Sequence, residues 1–163
     1  MRGKWLVRSL MLMLVIVAFM TARTAGASDA ERQAVGAASA QFYSALNTLF
    51  TGDAGPMKAV WSHAGDVTYM GPGGGFQVGW DQVQHNWEAQ AAMKLGGTVK
   101  PEGMHMTVGR DIAVVSNYEK GENTNTSGKP GAVSIRATSV FRKEGGKWKM
   151  IGHHTDLLPY LQQ

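Results

Sequence analysis

The stretch Lys147-Trp-Lys-Met-Ile-Gly-His-His-Thr-Asp156 sets two histidines, a threonine and an aspartate side by side in a mostly apolar run. Such side chains can hold a metal, move a proton or orient a ligand. On a strand, neighbouring side chains point to opposite faces. An unbroken strand puts Met150, Gly152, His154 and Asp156 on one face and Ile151, His153 and Thr155 on the other. The two histidines then cannot share a pocket unless a bulge intervenes. His154 and Asp156 offer two same-face metal ligands. A catalytic zinc needs three, and the chain has no cysteine, no H-x-H and no H-E-x-x-H. Neither a metal site nor a cofactor is expected.

Arg136 shares a strand face with Ser134, Thr138 and Val140. A guanidinium inside a pocket needs a partner, because a lone buried cation is very costly. Glu119, Asp156 or a ligand carboxylate would serve. Trp61, Tyr69, Trp80, Trp87 and Tyr118 supply aromatic surface for a core or for the wall of an apolar cavity. Tyr43 and Asn47 lie one helical turn apart and can reach one pocket as polar groups. These residues predict an aromatic pocket whose polar end holds Arg136 and Thr138 with His153 or His154. Asp66, Glu119 and Asp156 are the carboxylates an acid–base mechanism would draw on.

Other chemistries find little support. Gly71-Pro-Gly-Gly-Gly75 is glycine-rich, but Pro72 lacks an N–H, and Phe76-Gln-Val78 separates the glycines from the next helix start. It reads as a rim loop, not a phosphate cradle. No G-x-S-x-G marks a common hydrolase elbow. Asn125-Thr-Ser127 is a formal glycosylation sequon.

The elements that position these residues follow from periodicity. Ser28-Asp-Ala-Glu31 is a capping box, and Val35, Ala38, Phe42, Ala45, Leu46 and Leu49 recur at helical spacing behind it. One long helix is predicted over 29–51, stopped by Gly52. Asp53 caps a short second helix carrying Met57, Val60 and Trp61, and 66–70 reads as a strand. A third helix over 80–93 places Trp80, Val83, Trp87 and Ala91 on one stripe. Strands over 98–109, 112–124, 133–143 and 147–157 follow, joined by turn signals. Helices first and an antiparallel meander last is an α+β layout. A bent sheet of this kind can wrap its helices and leave an apolar pocket.

Residues 1–27 stand apart. Arg2, Lys4 and Arg8 precede a short apolar run and Ala25-Gly-Ala27, the pattern of a secretory signal peptide. The run is short of the about 20 residues a membrane span needs. Cleavage is expected to leave 28–163 as one domain, periplasmic or secreted, with no stable membrane insertion; an uncleaved anchor is the alternative. The net charge of +4 comes from 16 basic and 12 acidic residues, and residues 1–27 hold four of the basic ones. The remainder balances at 12 against 12, so the basic pI is no sign of a nucleic-acid partner.

Three segments carry a family resemblance: QFYSALNTLFTGD on the first helix, VTYMGPGGGFQVGWDQV from strand to third helix, and VSIRATSVFRKEGGKWKMIGHHTD over the last two strands. They resemble the nuclear-transport-factor-2-like superfamily, in its SnoaL-like and ketosteroid-isomerase-like branches, and the association domain of calcium/calmodulin-dependent protein kinase. The resemblance implies a cone-shaped α+β barrel with a pocket at its open end, often in a homodimer. It does not imply one activity. Steroid isomerases of this superfamily place an aspartate base before a proline at the end of the first strand; Gly71 stands there in this chain. Their oxyanion-hole tyrosine lies about two helical turns before the Gly-Asp that ends the first helix, and Tyr43 matches that position poorly. The leading expectation is binding of a small, partly apolar molecule. An isomerase, dehydratase or cyclase-type enzyme and an oligomeric interaction module are the alternatives. The apolar row Val133, Ile135, Ala137 and Phe141, opposite Arg136, is expected to face outward as a dimer interface.

Overall fold

The computed structural model describes residues 27–124 and 128–156. The signal-peptide reading, the Asn125 sequon and Leu157 therefore lie outside the described residues. Helix α1 (Asp29–Leu49) opens where Ser28 Oγ accepts the Glu31 N–H at 3.2 Å, with Asp29 and Glu31 favourable in the positive first turn. Its apolar stripe, Val35 to Leu49, is buried, and it ends one turn before Gly52, whose φ of 109° few other residues adopt. A single turn, α2 (Met57–Val60), follows an Asx turn in which Asp53 accepts the Gly55 N–H at 2.8 Å.

Strand β1 (Thr68–Gly71) is followed by β2 (Gly74–Val78), so the predicted rim loop is a tight hairpin instead. Glycines 74 and 75 take φ near 90°, and this backbone freedom folds the chain back at once. Helix α3 (Trp80–Ala92) then buries Val83, Trp87 and Ala91. The meander is β3 (Thr98–Val108), β4 (Ile112–Thr124), β5 (Pro130–Glu144) and β6 (Lys147–Asp156). Gly145 and Gly146, both at positive φ, close the β5–β6 hairpin.

The sheet order is β2-β1-β6-β5-β4-β3, with β1 parallel to β6 and every other neighbour antiparallel. The result is an α+β fold: helices sit against one face of a curled, unclosed sheet. The core lies between them and joins Phe42, Leu49, Trp61, Val83, Trp87, Val115, Phe141 and Met150.

Two corrections concern strand faces. The β5–β6 register slips between Val140 and Phe141, which pair with Gly152 and Met150, and Ile151 is the extra residue. Met150 therefore points into the core together with His153 and Thr155, not with His154. On β5, Ile135, Ala137 and Phe141 are buried, Phe141 belongs to the core and Val133 packs on it. That apolar row is the inner face, not an outer interface, because apolar surface is drawn to the helices and Arg136 is left on the solvent side.

Candidate functional site

A cavity of about 250 Å³ opens between α1, α3 and the inner sheet face. Leu46, Phe50, Leu95, Val99, Val133 and Ile135 make its wall mostly apolar. Its polar side is built by neighbouring strands. Tyr69 of β1 pairs with His153 of β6, and their rings lie parallel with centroids 6.1 Å apart. Phe42 packs on the same imidazole at 4.6 Å. Trp87 lies against Tyr69 at 4.3 Å.

Behind these rings runs a buried polar chain. Glu119 of β4 is 4% exposed. Tyr43 donates to its Oε1 at 3.1 Å, and His153 Nε2 lies 3.3 Å from the same oxygen. Asn117 donates to the Tyr43 hydroxyl at 2.8 Å. Ser139 Oγ bonds His153 Nδ1 at 2.9 Å. In the neutral imidazole, a proton on Nε2 faces the carboxylate and leaves Nδ1 to accept from Ser139. Burial, first, and then the charge of Glu119 hold the Tyr43 hydroxyl well above the ordinary tyrosine range; the Asn117 hydrogen bond opposes them. Burial pushes Tyr69 up to about 12, with the Gln90 hydrogen bond working against it and Glu119 adding to it. Both tyrosines therefore hold their protons.

Not every expected residue reaches this site. Tyr69, Trp87 and His153 line the cavity, and Tyr43 reaches it through Glu119. Trp61 is core, edge-on to Tyr69. Asn47 clamps β3, donating to the Val99 carbonyl at 3.0 Å and accepting its N–H at 2.8 Å. Trp80 stacks on His63 at 4.3 Å, away from the cavity. Tyr118, Arg136, Thr138 and His154 lie on the opposite sheet face, in an open groove of about 390 Å³ with Asp156 and His105. The expectation of Arg136 and His154 at the pocket's polar end is thus corrected. Strand alternation carries both outward, and Arg136 makes a two-pronged pair with Asp156 at 3.0 and 2.8 Å. Among the described residues no group of three His, Asp or Glu converges as a metal site.

The sequence offers Glu119 as one of three candidate carboxylates and as a partner for Arg136, but not its place beside Tyr43 and His153, and Asn117, Ser139 and Thr155 were missed. The signal was present in β4, where Ala113, Val115, Asn117 and Glu119 keep one phase and two polar residues continue an apolar row. Gly71 also gains a reason. A Cβ there would lie 2.3 Å from the Tyr69 hydroxyl, so the bare backbone leaves room for that group.

The model of the SnoaL-like domain family matches residues 35–158. The chain belongs to the SnoaL-like domain family. No curated protein matches it. Among solved structures, this SnoaL-like domain is similar to a candidate dehydratase of the NTF2-like family from Streptomyces avermitilis, at 24% identity and a TM-score of 0.71, over 80% of this chain and 99% of that one. A candidate calcium/calmodulin-dependent protein kinase II association domain from Xanthomonas campestris matches at 23% identity and a TM-score of 0.64, over 83% and 96%. A candidate ketosteroid isomerase from Shewanella frigidimarina matches at 22% and 0.61, over 75% and 94%. At such identities the likeness establishes the shared fold and nothing finer.

Proposed function

We propose that this SnoaL-like domain binds a small, mostly apolar molecule in the inner cavity. The observation that carries the reading is an apolar chamber of about 250 Å³ ending in a buried Glu119–His153 pair. A dry, engineered cavity of about 150 Å³ already takes up benzene, so this one has room for a larger guest. Native mass spectrometry of the purified protein tests the reading. A co-purifying small molecule supports it, and its loss in an Ile135→Trp variant that fills the chamber assigns the site.

A second reading is an isomerase- or dehydratase-type enzyme. The favouring observation is a carboxylate and an imidazole 3.3 Å apart at the edge of a mostly apolar pocket, the groups that general acid–base chemistry uses. Glu119, on β4, would be the proton acceptor. The dehydratase and isomerase descriptions of the Streptomyces and Shewanella proteins agree in kind.

Two wider features belong to the same proposal. The domain is exported to the periplasm or secreted after removal of residues 1–27, which N-terminal sequencing of exported protein checks. It also forms a homodimer through the outer sheet face, where Tyr118 is 51% exposed. Light scattering is expected to give a dimer mass, and Arg136→Glu to lower it.

A further inference from the structure

We infer that the cavity's guest is a neutral two-ring molecule carrying one hydroxyl group, which donates to Glu119 and accepts from Tyr69. The inference rests on the binding reading above and names the class of ligand for the same cavity. Size comes first. A chamber of about 250 Å³ exceeds the benzene-sized case and suits a fused two-ring system.

The polar groups then select the chemistry. Glu119 Oε1 is engaged by Tyr43 and faces His153, while no described residue hydrogen-bonds Oε2. The guest must therefore offer a donor. The Tyr69 hydroxyl accepts from Gln90 at 3.0 Å, and no described acceptor takes its own hydrogen. Thr155 Oγ1 and Trp87 Nε1, from two further residues of the lining, also lack partners among the described residues. The guest must therefore offer an acceptor as well. Buried polar atoms such as Thr155 Oγ1 and Trp87 Nε1 are rarely left without a partner.

A hydroxyl is both donor and acceptor. A carboxylate is an acceptor only, and it would face Glu119 with no lysine or arginine among the described lining residues to balance two negative charges. An ammonium is a donor only and leaves Tyr69 unanswered. A bare hydrocarbon answers neither group.

Fluorescence and calorimetric titration of the intact mature protein with four matched probes tests this: 2-naphthol, naphthalene, 2-naphthoate and 2-naphthylmethylammonium. The expected result is that 2-naphthol binds at least about tenfold more tightly than each of the others, the factor that one good hydrogen bond supplies. Tyr69→Phe keeps the ring stack and is expected to remove most of that preference over naphthalene. Glu119→Gln is expected to improve 2-naphthoate binding severalfold by removing the repulsion. If Glu119→Gln does not fold, the Tyr69→Phe comparison decides alone. Equal binding of naphthol and naphthalene, or tighter binding of the carboxylate or ammonium, overturns this inference and leaves the cavity reading standing. Failure of all four probes to bind overturns this inference, and together with the absence of a co-purifying molecule in native mass spectrometry it overturns the cavity reading as well.

Discussion

Glu119 is held almost wholly out of water, and no lysine or arginine among the described residues pairs with it. A buried carboxylate is tolerable only where donors replace its lost hydration. Tyr43 supplies one such donor, and His153 turns a ring nitrogen toward the same oxygen. Tyr43→Phe removes the donor without opening a large hole. It is expected to lower stability by about 1–3 kcal/mol, the penalty for a buried acceptor left short of a partner. Urea unfolding measures the loss, and a cycle with Glu119→Gln should shrink it, since an amide needs the phenol less. The tyrosines also predict an alkaline limb. Tyr43 and Tyr69 ionise later in the folded state than an ordinary tyrosine at 10.0. Their contribution is complete below the unfolded value and is lost as pH rises through the folded one, about 12 for Tyr69. Absorbance titration should show two of the chain's four tyrosines staying protonated past pH 11 until the circular dichroism signal collapses.

Strands place the site, and two local features set their geometry. The bulge at Ile151 resets β6 so that Met150, His153 and Thr155 all look inward. The Met150 carbonyl, next to the bulge, accepts the Ser62 N–H at 2.9 Å, which ties the segment after α2 to β6. At the far side of the cavity, Gly121 lies opposite Val99, and a Cβ on it would sit 1.9 Å from the Thr98 carbonyl oxygen. The obstacle is backbone, so it cannot swing aside. Gly121→Ala is expected to push β3 off β4 and to cost about 2–4 kcal/mol, as large overpacking effects do. Chemical denaturation gives the value. Ligand uptake should fall with it, because Val99 and Glu119 belong to the same two strands.

The two layers of the whole molecule are stitched by ion pairs at the rim. Glu31, in the first turn of α1, accepts from Lys143 at 2.5 Å and from Trp148 Nε1 at 3.0 Å on the sheet. Arg142 bridges Asp66 and Glu144. The hydrogen bonds from Lys143 and Trp148 hold the Glu31 carboxyl below the ordinary carboxylate range; Arg142 does the same for Asp66, and Arg136 for Asp156. Depressed carboxyls stabilise fully above their unfolded pKa and lose that contribution as pH falls through the folded one. Melting temperature is therefore expected to hold from neutral pH to about 5 and to drop below about 4. Glu31→Gln should lower the plateau and flatten that drop. Both effects should be small and salt-sensitive, because these groups are solvent-accessible.

By itself the sequence determined the kind of fold and the order of its elements. The α1 stripe from Val35 to Leu49, the Val83–Trp87–Ala91 stripe and the paired glycines 145 and 146 are local signals, and local signals survive translation into structure. Aromatic residues 69 and 87 and a histidine of β6 were legible as pocket candidates for the same reason. Which histidine, and with which partner, was not. Facing on a strand reverses with one added residue, and the Ile151 bulge is set by pairing with β5, which is a property of two strands. Arg136 and Glu119 show the same limit. Each sits on an alternating strand whose inner side is chosen only when the sheet closes on the helices. Tertiary structure alone brought Tyr43, Glu119, Ser139 and His153 from four separate elements into one buried chain, because such contacts depend on register and not on spacing along the sequence.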